Sequence, residues 1–237
     1  MKRASDLGLL LLHALPLDRG MWSEQMDLLP DATYAPNLYQ FGGSIKNWAA
    51  QSLAATSSER LVVVGCSVGG SCALEVAKLA PERVCSLVLV GTKAAHDPDP
   101  ELFRESVSLL KTKGVEAVWD KYWRPLFQFP HDEKYISKAK STALSQSVSD
   151  LENGLTAFHT RPSSEESLAG FDFPVHVVTG EDDVFPGLQY SDVMASKARY
   201  GKLHIIRESG HYVPLVQSEQ FNEILKRVID TVPAYIL

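Results

Sequence analysis

The chain is poor in cysteine, in excess basic charge and in long apolar runs, and each shortage removes a class of protein. Its three cysteines, Cys66, Cys72 and Cys85, are an odd number in 237 residues. They fall in segments that read as a turn, a helix and a strand, so they form neither a disulfide framework nor a spaced metal site. A reducing, cytoplasmic setting is expected. Lys and Arg number 23 against 29 Asp and Glu, a formal net charge of -6. Such a balance offers no basic face to neutralise phosphates and argues against a nucleic-acid binder. No apolar run approaches the roughly 20 residues that span a bilayer. Lys2 and Arg3 ahead of Leu9-Leu10-Leu11-Leu12 resemble the start of a signal peptide. Asp6 intervenes, however, and the run flows into His13-Ala14-Leu15-Pro16 without a cleavage site, so a buried strand is the better reading. There is no internal repeat and no low-complexity tract.

What remains is the composition of an ordinary globular protein, 45% hydrophobic and 22% charged, long enough for one large domain. Apolar runs bounded by turn signals occur at residues 7–12, 61–64, 87–90, 175–178 and 203–206, with a weaker one at 32–35. They are rich in Val, Ile and Leu without strict alternation, the pattern of strands covered on both faces of a parallel sheet. Between them lie segments of helical period. Ala73, Val76, Ala77 and Ala80 share one face, with Glu75 and Lys78 pointing away, and Phe221, Ile224, Leu225 and Val228 repeat the spacing near the C-terminus. Strand and helix alternate, so the class is α/β with a mostly parallel sheet.

Residues 97–168 break that rhythm. They are helical and aromatic, without a convincing strand, and carry Trp119, Tyr122, Trp123, Phe127, Phe129 and Phe158. Asp97-Pro98-Asp99-Pro100 opens the stretch and Arg161-Pro162-Ser163-Ser164 closes it, both loop-like. The expected organisation is a core of residues 1–96 and 169–237 with a helical cap at 97–168, although an ordinary run of crossover helices has the same pattern. Trp119, Trp123 and Phe127 are the expected lining of an apolar substrate pocket; packing of the cap onto itself is the competing use for them.

Three segments carry chemistry. Gly65-Cys66-Ser67-Val68-Gly69 stands between an expected strand and an expected helix. A serine hydroxyl becomes a nucleophile when a base takes its proton and the backbone exposes it. A sharp strand-to-helix turn provides the exposure, and small flanking residues let strand and helix backbones meet. The plain alternative is a glycine-rich turn with a solvent-facing serine. Ser209-Gly210-His211-Tyr212 follows the run at 203–206, and the end of a parallel strand is where α/β sheets place functional groups. An imidazole there has the proton affinity for general base work near neutral pH. Among the other histidines, His13 reads as a structural residue in a turn, His176 and His204 lie within strands, and His96, His131 and His159 lie at or inside the helical stretch. Gly180-Glu181-Asp182-Asp183 follows the run at 175–178, and a carboxylate there would orient the imidazole. Glu181, Asp182 and Asp183 all compete for that role. The order serine, acid, histidine, each after a strand, is the order of α/β-hydrolases.

On these segments the sequence resembles the α/β-hydrolase superfamily over nearly its whole length. Leu11-Leu12-His13-Ala14-Leu15-Pro16 is similar to the family's strand end of His-Gly and an apolar residue, with Ala14 for the glycine. By that match Leu15 and Val68 supply the two backbone N–H groups of an oxyanion hole. Residues 35–44 are similar to a family turn and receive no catalytic role. The family's Gly-x-x-Asp pattern selects Asp183 as the acid beside Ser67 and His211. The two strands that usually open the family fold are missing, which implies a reduced sheet of about six strands, all parallel. The resemblance is nearest to 3-oxoadipate enol-lactonases, small perhydrolase-like esterases and pimeloyl-carrier-protein methyl esterases. It implies a cofactor-free, metal-free hydrolase cleaving a small to medium, largely apolar ester through an acyl-enzyme. Lactone or carbon–carbon bond hydrolysis by the same triad, or a slow-turnover receptor of the same fold, stand as alternatives. The expected partner is a small-molecule ester, with neither nucleic acid nor membrane; oligomeric state is left open.

Overall fold

The computed structural model describes residues 6–127 and 133–233; Lys2, Arg3, Phe129 and His131 lie outside them. Six strands form one sheet: β1 (Leu7–Leu12), β2 (Thr33–Tyr34), β3 (Arg60–Cys66), β4 (Val84–Val90), β5 (Val175–Gly180) and β6 (Gly201–Ile206). Their order is β2-β1-β3-β4-β5-β6 and every neighbouring pair is parallel. The chain leaves β1 toward one edge and returns to its other side at β3. The strand order therefore reverses between β1 and β3, and α/β sheets bind ligands in such a crevice. The three strands at and beside that crevice are sealed on both faces: Leu9 to Leu12, Leu61 to Val64 and Leu87 to Val90 are completely buried. This explains their unbroken apolar sequence. The edge strand β6 is only partly covered, and Ile205 is exposed.

Helices α1 (Ile45–Ala54) and α2 (Val68–Leu79) follow β2 and β3, with Ser44 capping α1 through the Asn47 N–H. Helix α2 is buried more completely than its period suggests. Glu75, read from the sequence as outward-facing, is 4% exposed. It pairs with Lys78 and accepts a hydrogen bond from Ser164 Oγ at 3.4 Å. The reason is the segment around Ser164, which folds over that face and supplies polar partners there.

Between β4 and β5 the described residues contain helices and no strand. Helix α3 (Pro100–Val118) opens with Pro100 in its first turn and Asp99 accepting the Leu102 N–H at 2.9 Å, a standard start signal. Gly114, at φ +82°, breaks its course. A π-turn (Trp119–Trp123) and a 3₁₀ turn (Arg124–Leu126) follow, then α4 (Glu133–Ser145) and α5 (Val148–Thr160). Helix α5 lies directly on the loop after β1. A Cβ at Gly154 would come 2.6 Å from Leu15 Cδ1 and 2.9 Å from Tyr39 Cε1. Asn153 Nδ2 donates to the Tyr39 carbonyl at 3.1 Å. Helices α6 (Leu188–Lys197), α7 (Val213–Val216) and α8 (Ser218–Thr231) complete the chain. In α8 the expected stripe of Phe221, Ile224, Leu225 and Val228 is the buried face. No described helix is long and apolar enough to cross a membrane.

Candidate active site

Ser67 sits between β3 and α2 with φ 54° and ψ -121°. A non-glycine residue in such a region costs about 1–3 kcal/mol and persists only where its surroundings impose it. Here they do. The Ser67 N–H donates to the Val90 carbonyl at 2.8 Å, and its carbonyl accepts the Gly70 N–H at 2.9 Å. The flanking glycines answer to close approach: a Cβ on Gly65 would meet the Gly69 carbonyl oxygen at 2.2 Å, and one on Gly69 would meet that of Leu12 at the same distance. Three backbones thus converge at the turn. The neighbouring Cys66 is fully buried, and burial pushes its thiol pKa up, with the Asp183 charge adding to the effect. It stays protonated and does not compete as nucleophile.

The loop after β1 is held rigid around Leu15. His13 Nε2 accepts the Leu38 N–H at 2.9 Å, which leaves the proton on Nδ1, 3.2 Å from the Ala14 carbonyl. Burial lowers the His13 pKa to about 4, so the ring is neutral. Ala14 does not adopt positive φ, so its methyl replaces a glycine hydrogen without backbone strain. Tyr212 Oη donates to the Leu15 carbonyl at 3.0 Å. Among the described residues no backbone hydrogen bond uses the Leu15 N–H. Val68 is the first residue of α2, where helix geometry leaves the N–H without an intrahelical acceptor.

Of the three carboxylates at the end of β5, Glu181 is exposed, Asp182 half-buried and Asp183 buried. Asp183 Oδ2 lies 3.2 Å from His211 Nδ1, and its Oδ1 accepts the Phe185 N–H at 2.9 Å. His211 is itself 4% exposed. With Nδ1 facing a carboxylate, Nε2 is the free nitrogen of the ring.

Ser67, His211 and Leu15 line one cavity of about 410 Å³. Its other wall comes from the helical stretch, through Leu102, Tyr122, Trp123, Leu126, Leu155 and Phe158. Of the three aromatic residues expected there, Trp123 lines the cavity; Trp119 and Phe127 do not. Trp119 packs on Phe127, with ring centroids 5.9 Å apart, and Phe127 on Tyr212 at 4.8 Å. They fill the joint between the helical stretch and the loop that carries His211, a surface that buries aromatic area as readily as a pocket wall does. Tyr122, Leu126, Leu102, Leu155 and the bolt formed by Tyr212 were not assigned from the sequence. For Tyr212 the signal was its place directly after the candidate base.

A family model described as alpha/beta hydrolase family matches residues 9–224. A protein of Serratia proteamaculans (strain 568) named as a carbamate hydrolase, RutD, is 29% identical over 188 residues, covering 74% of this chain and 68% of its own length. A 2-hydroxy-6-oxononadienedioate/2-hydroxy-6-oxononatrienedioate hydrolase of Paraburkholderia xenovorans (strain LB400) is 25% identical over 185 residues, 73% of this chain and 63% of that one. In that pairing the match spans somewhat less than two thirds of the relative. Among solved structures, a thermophilic esterase of Thermogutta terrifontis with malate bound superimposes with a TM-score of 0.86 at 24% identity, over 96% of this chain and 91% of the other. At that identity the likeness is one of fold.

Proposed function

The chain belongs to the alpha/beta hydrolase family, and from that premise we propose that it is a serine hydrolase cleaving carboxylic esters of small to medium, largely apolar substrates through an acyl-enzyme. One observation carries the reading: Ser67, on its strained turn, and His211, paired through Nδ1 with Asp183 at 3.2 Å, open onto the same cavity. In this mechanism His211 Nε2 takes the Ser67 proton as Oγ attacks the carbonyl. Asp183 holds the tautomer that leaves Nε2 free and stabilises the imidazolium that forms. The Leu15 and Val68 N–H groups face the developing oxyanion, where fixed donors in a site shielded from water lower the barrier most. The imidazolium then protonates the leaving alcohol, and water repeats the sequence on the acyl-enzyme.

The relatives named for carbamate and carbon–carbon bond hydrolysis support a second reading, in which the same serine, histidine and aspartate act on those bonds. A panel of esters, lactones, carbamates and carbon–carbon hydrolase substrates separates the two. The catalytic reading itself is tested with Ser67→Ala. The wild type should be labelled by a fluorophosphonate probe and turn over p-nitrophenyl esters repeatedly. The variant should do neither while melting at the same temperature. Labelling at another serine would remove Ser67 from the mechanism, and a single turnover followed by arrest would point to a receptor.

A further inference from the structure

The cavity wall has a charge pattern that ester cleavage alone does not require. Among the described residues, those lining it include Lys93, Lys121 and Arg161 and no Asp or Glu, in a chain whose net charge is -6. Lys121 is neutralised by Glu105. The other two are not answered in the same way. Lys93 lies over the Tyr190 ring, 4.7 Å from its centroid. Arg161 donates one N–H to the Phe158 carbonyl and stacks 4.2 Å above the Phe158 ring, which leaves most of its donor fork unused. Burial lowers its pKa to about 10, and no charged group contributes to the change. It remains a cation at neutral pH. A half-buried guanidinium on a cavity wall, with no ion-pair partner among the described residues, gains from the arrival of an anion.

The surroundings agree. His159, also on the wall, has its pKa brought down to about 4, first by burial, then by the Arg161 charge and by coupling to the neighbouring His96. His96 is lowered by burial and by both Arg161 and Lys93. Asp97 and Asp99 act on these histidines with the opposite sign but rank last among the causes. The two imidazoles are thus neutral, and the positive potential comes from Arg161 and Lys93.

We propose that the substrate carries a carboxylate besides its scissile carbonyl, and that Arg161, with Lys93 adding to the local potential, receives it. The substrate class is then a half-ester, or a comparable monoanionic acyl compound, with an apolar spacer. This rests on the hydrolase reading above and narrows it. A carboxylate fits because the guanidinium offers a flat fork of parallel N–H donors matched to two oxygens in a plane. The apolar walls of Leu102, Leu126, Leu155 and Phe158 accommodate the spacer.

A p-nitrophenyl hemiglutarate and p-nitrophenyl butyrate are compared on wild type, Arg161→Met and Arg161→Gln. Glutamine can still hydrogen-bond the Phe158 carbonyl and lacks the charge, so it separates anion binding from closure of the helix end. The wild type should prefer the hemiester. The kcat/KM ratio of hemiester to butyrate should fall roughly tenfold or more in both variants, chiefly through KM, the scale of a charge-assisted hydrogen bond. No preference in the wild type, or a parallel loss on both esters, overturns the proposal. If neither ester is cleaved, the ester reading fails, and binding decides the anion site on its own. Calorimetry of Ser67→Ala with monomethyl glutarate and methyl butyrate should show tighter binding of the anion, lost when Arg161→Met is added. Equal binding of the two ligands rejects the site.

Discussion

Asp183 and Asp182 are adjacent, chemically identical and differently placed. Asp183 is buried against His211, while the Asp182 backbone N–H bonds the Ser209 carbonyl at 3.0 Å. Asp183→Asn should therefore depress ester turnover by orders of magnitude, because an amide stabilises the wrong imidazole tautomer. Asp182→Asn should change it only a few-fold. The reverse ranking in a kcat comparison would transfer the orienting role to Asp182. A second substitution separates positioning from chemistry. Tyr212→Phe removes the hydroxyl that holds the Leu15 carbonyl, and it should lower kcat more than it raises KM if Leu15 supplies an oxyanion donor. A change confined to KM would detach Leu15 from the transition state. At this scale Ser67, His211 and the aspartate cluster were legible in the sequence because each follows a strand in the family's order. The residue within the cluster was not legible from composition, since burial chose between neighbours. Tyr212 and Arg161 were equally hidden: their roles depend on what lies opposite them in space.

Each of the six strands was legible as an element, with ends extended by a residue or more in β3, β4, β5 and β6, because apolar runs sealed on both faces leave a plain trace. The helical stretch between β4 and β5 was legible as helical, but not in which of its aromatics face the cavity. Two surfaces there bury rings, and a one-dimensional pattern does not distinguish them. The geometry separates Trp119 and Phe127, at the joint with Tyr212, from Tyr122 and Leu126 on the cavity wall. Trp119→Ala and Phe127→Ala should cost about 3–5 kcal/mol of stability, read as a large fall in melting temperature with little change in preference among ester chain lengths. Tyr122→Ala and Leu126→Ala, both half-buried, should shift chain-length preference through KM with a smaller loss of stability. Exchange of these two phenotypes would place the substrate on the other side of the π-turn.

For the whole molecule the sequence conveys class, sheet and approximate strand number. The histidine environments emerge only on folding. Burial lowers the pKa of His13, His159 and His176 to about 4, against about 6.5 in an unfolded chain. Above that value both states are neutral and these histidines make no contribution. As the pH falls toward 4, the unfolded chain takes up protons that the folded one refuses, so stability declines; below the folded value the loss levels off. His13 alone accounts for about 2 kcal/mol at pH 5. Melting temperature should fall from pH 7 to pH 5, and His176→Gln should flatten that slope; a curve level over this interval would contradict the assignment. The lodging of Gly154 against Leu15 and Tyr39 has a consequence for chimeras. A helical segment grafted between β4 and β5 from another hydrolase would have to present a residue without a side chain at that seam. Donors with a larger residue there would misplace the loop after β1 that carries Leu15 before their own pocket could be judged, so compatibility at the seam, more than likeness of the lining, should decide which grafts remain active.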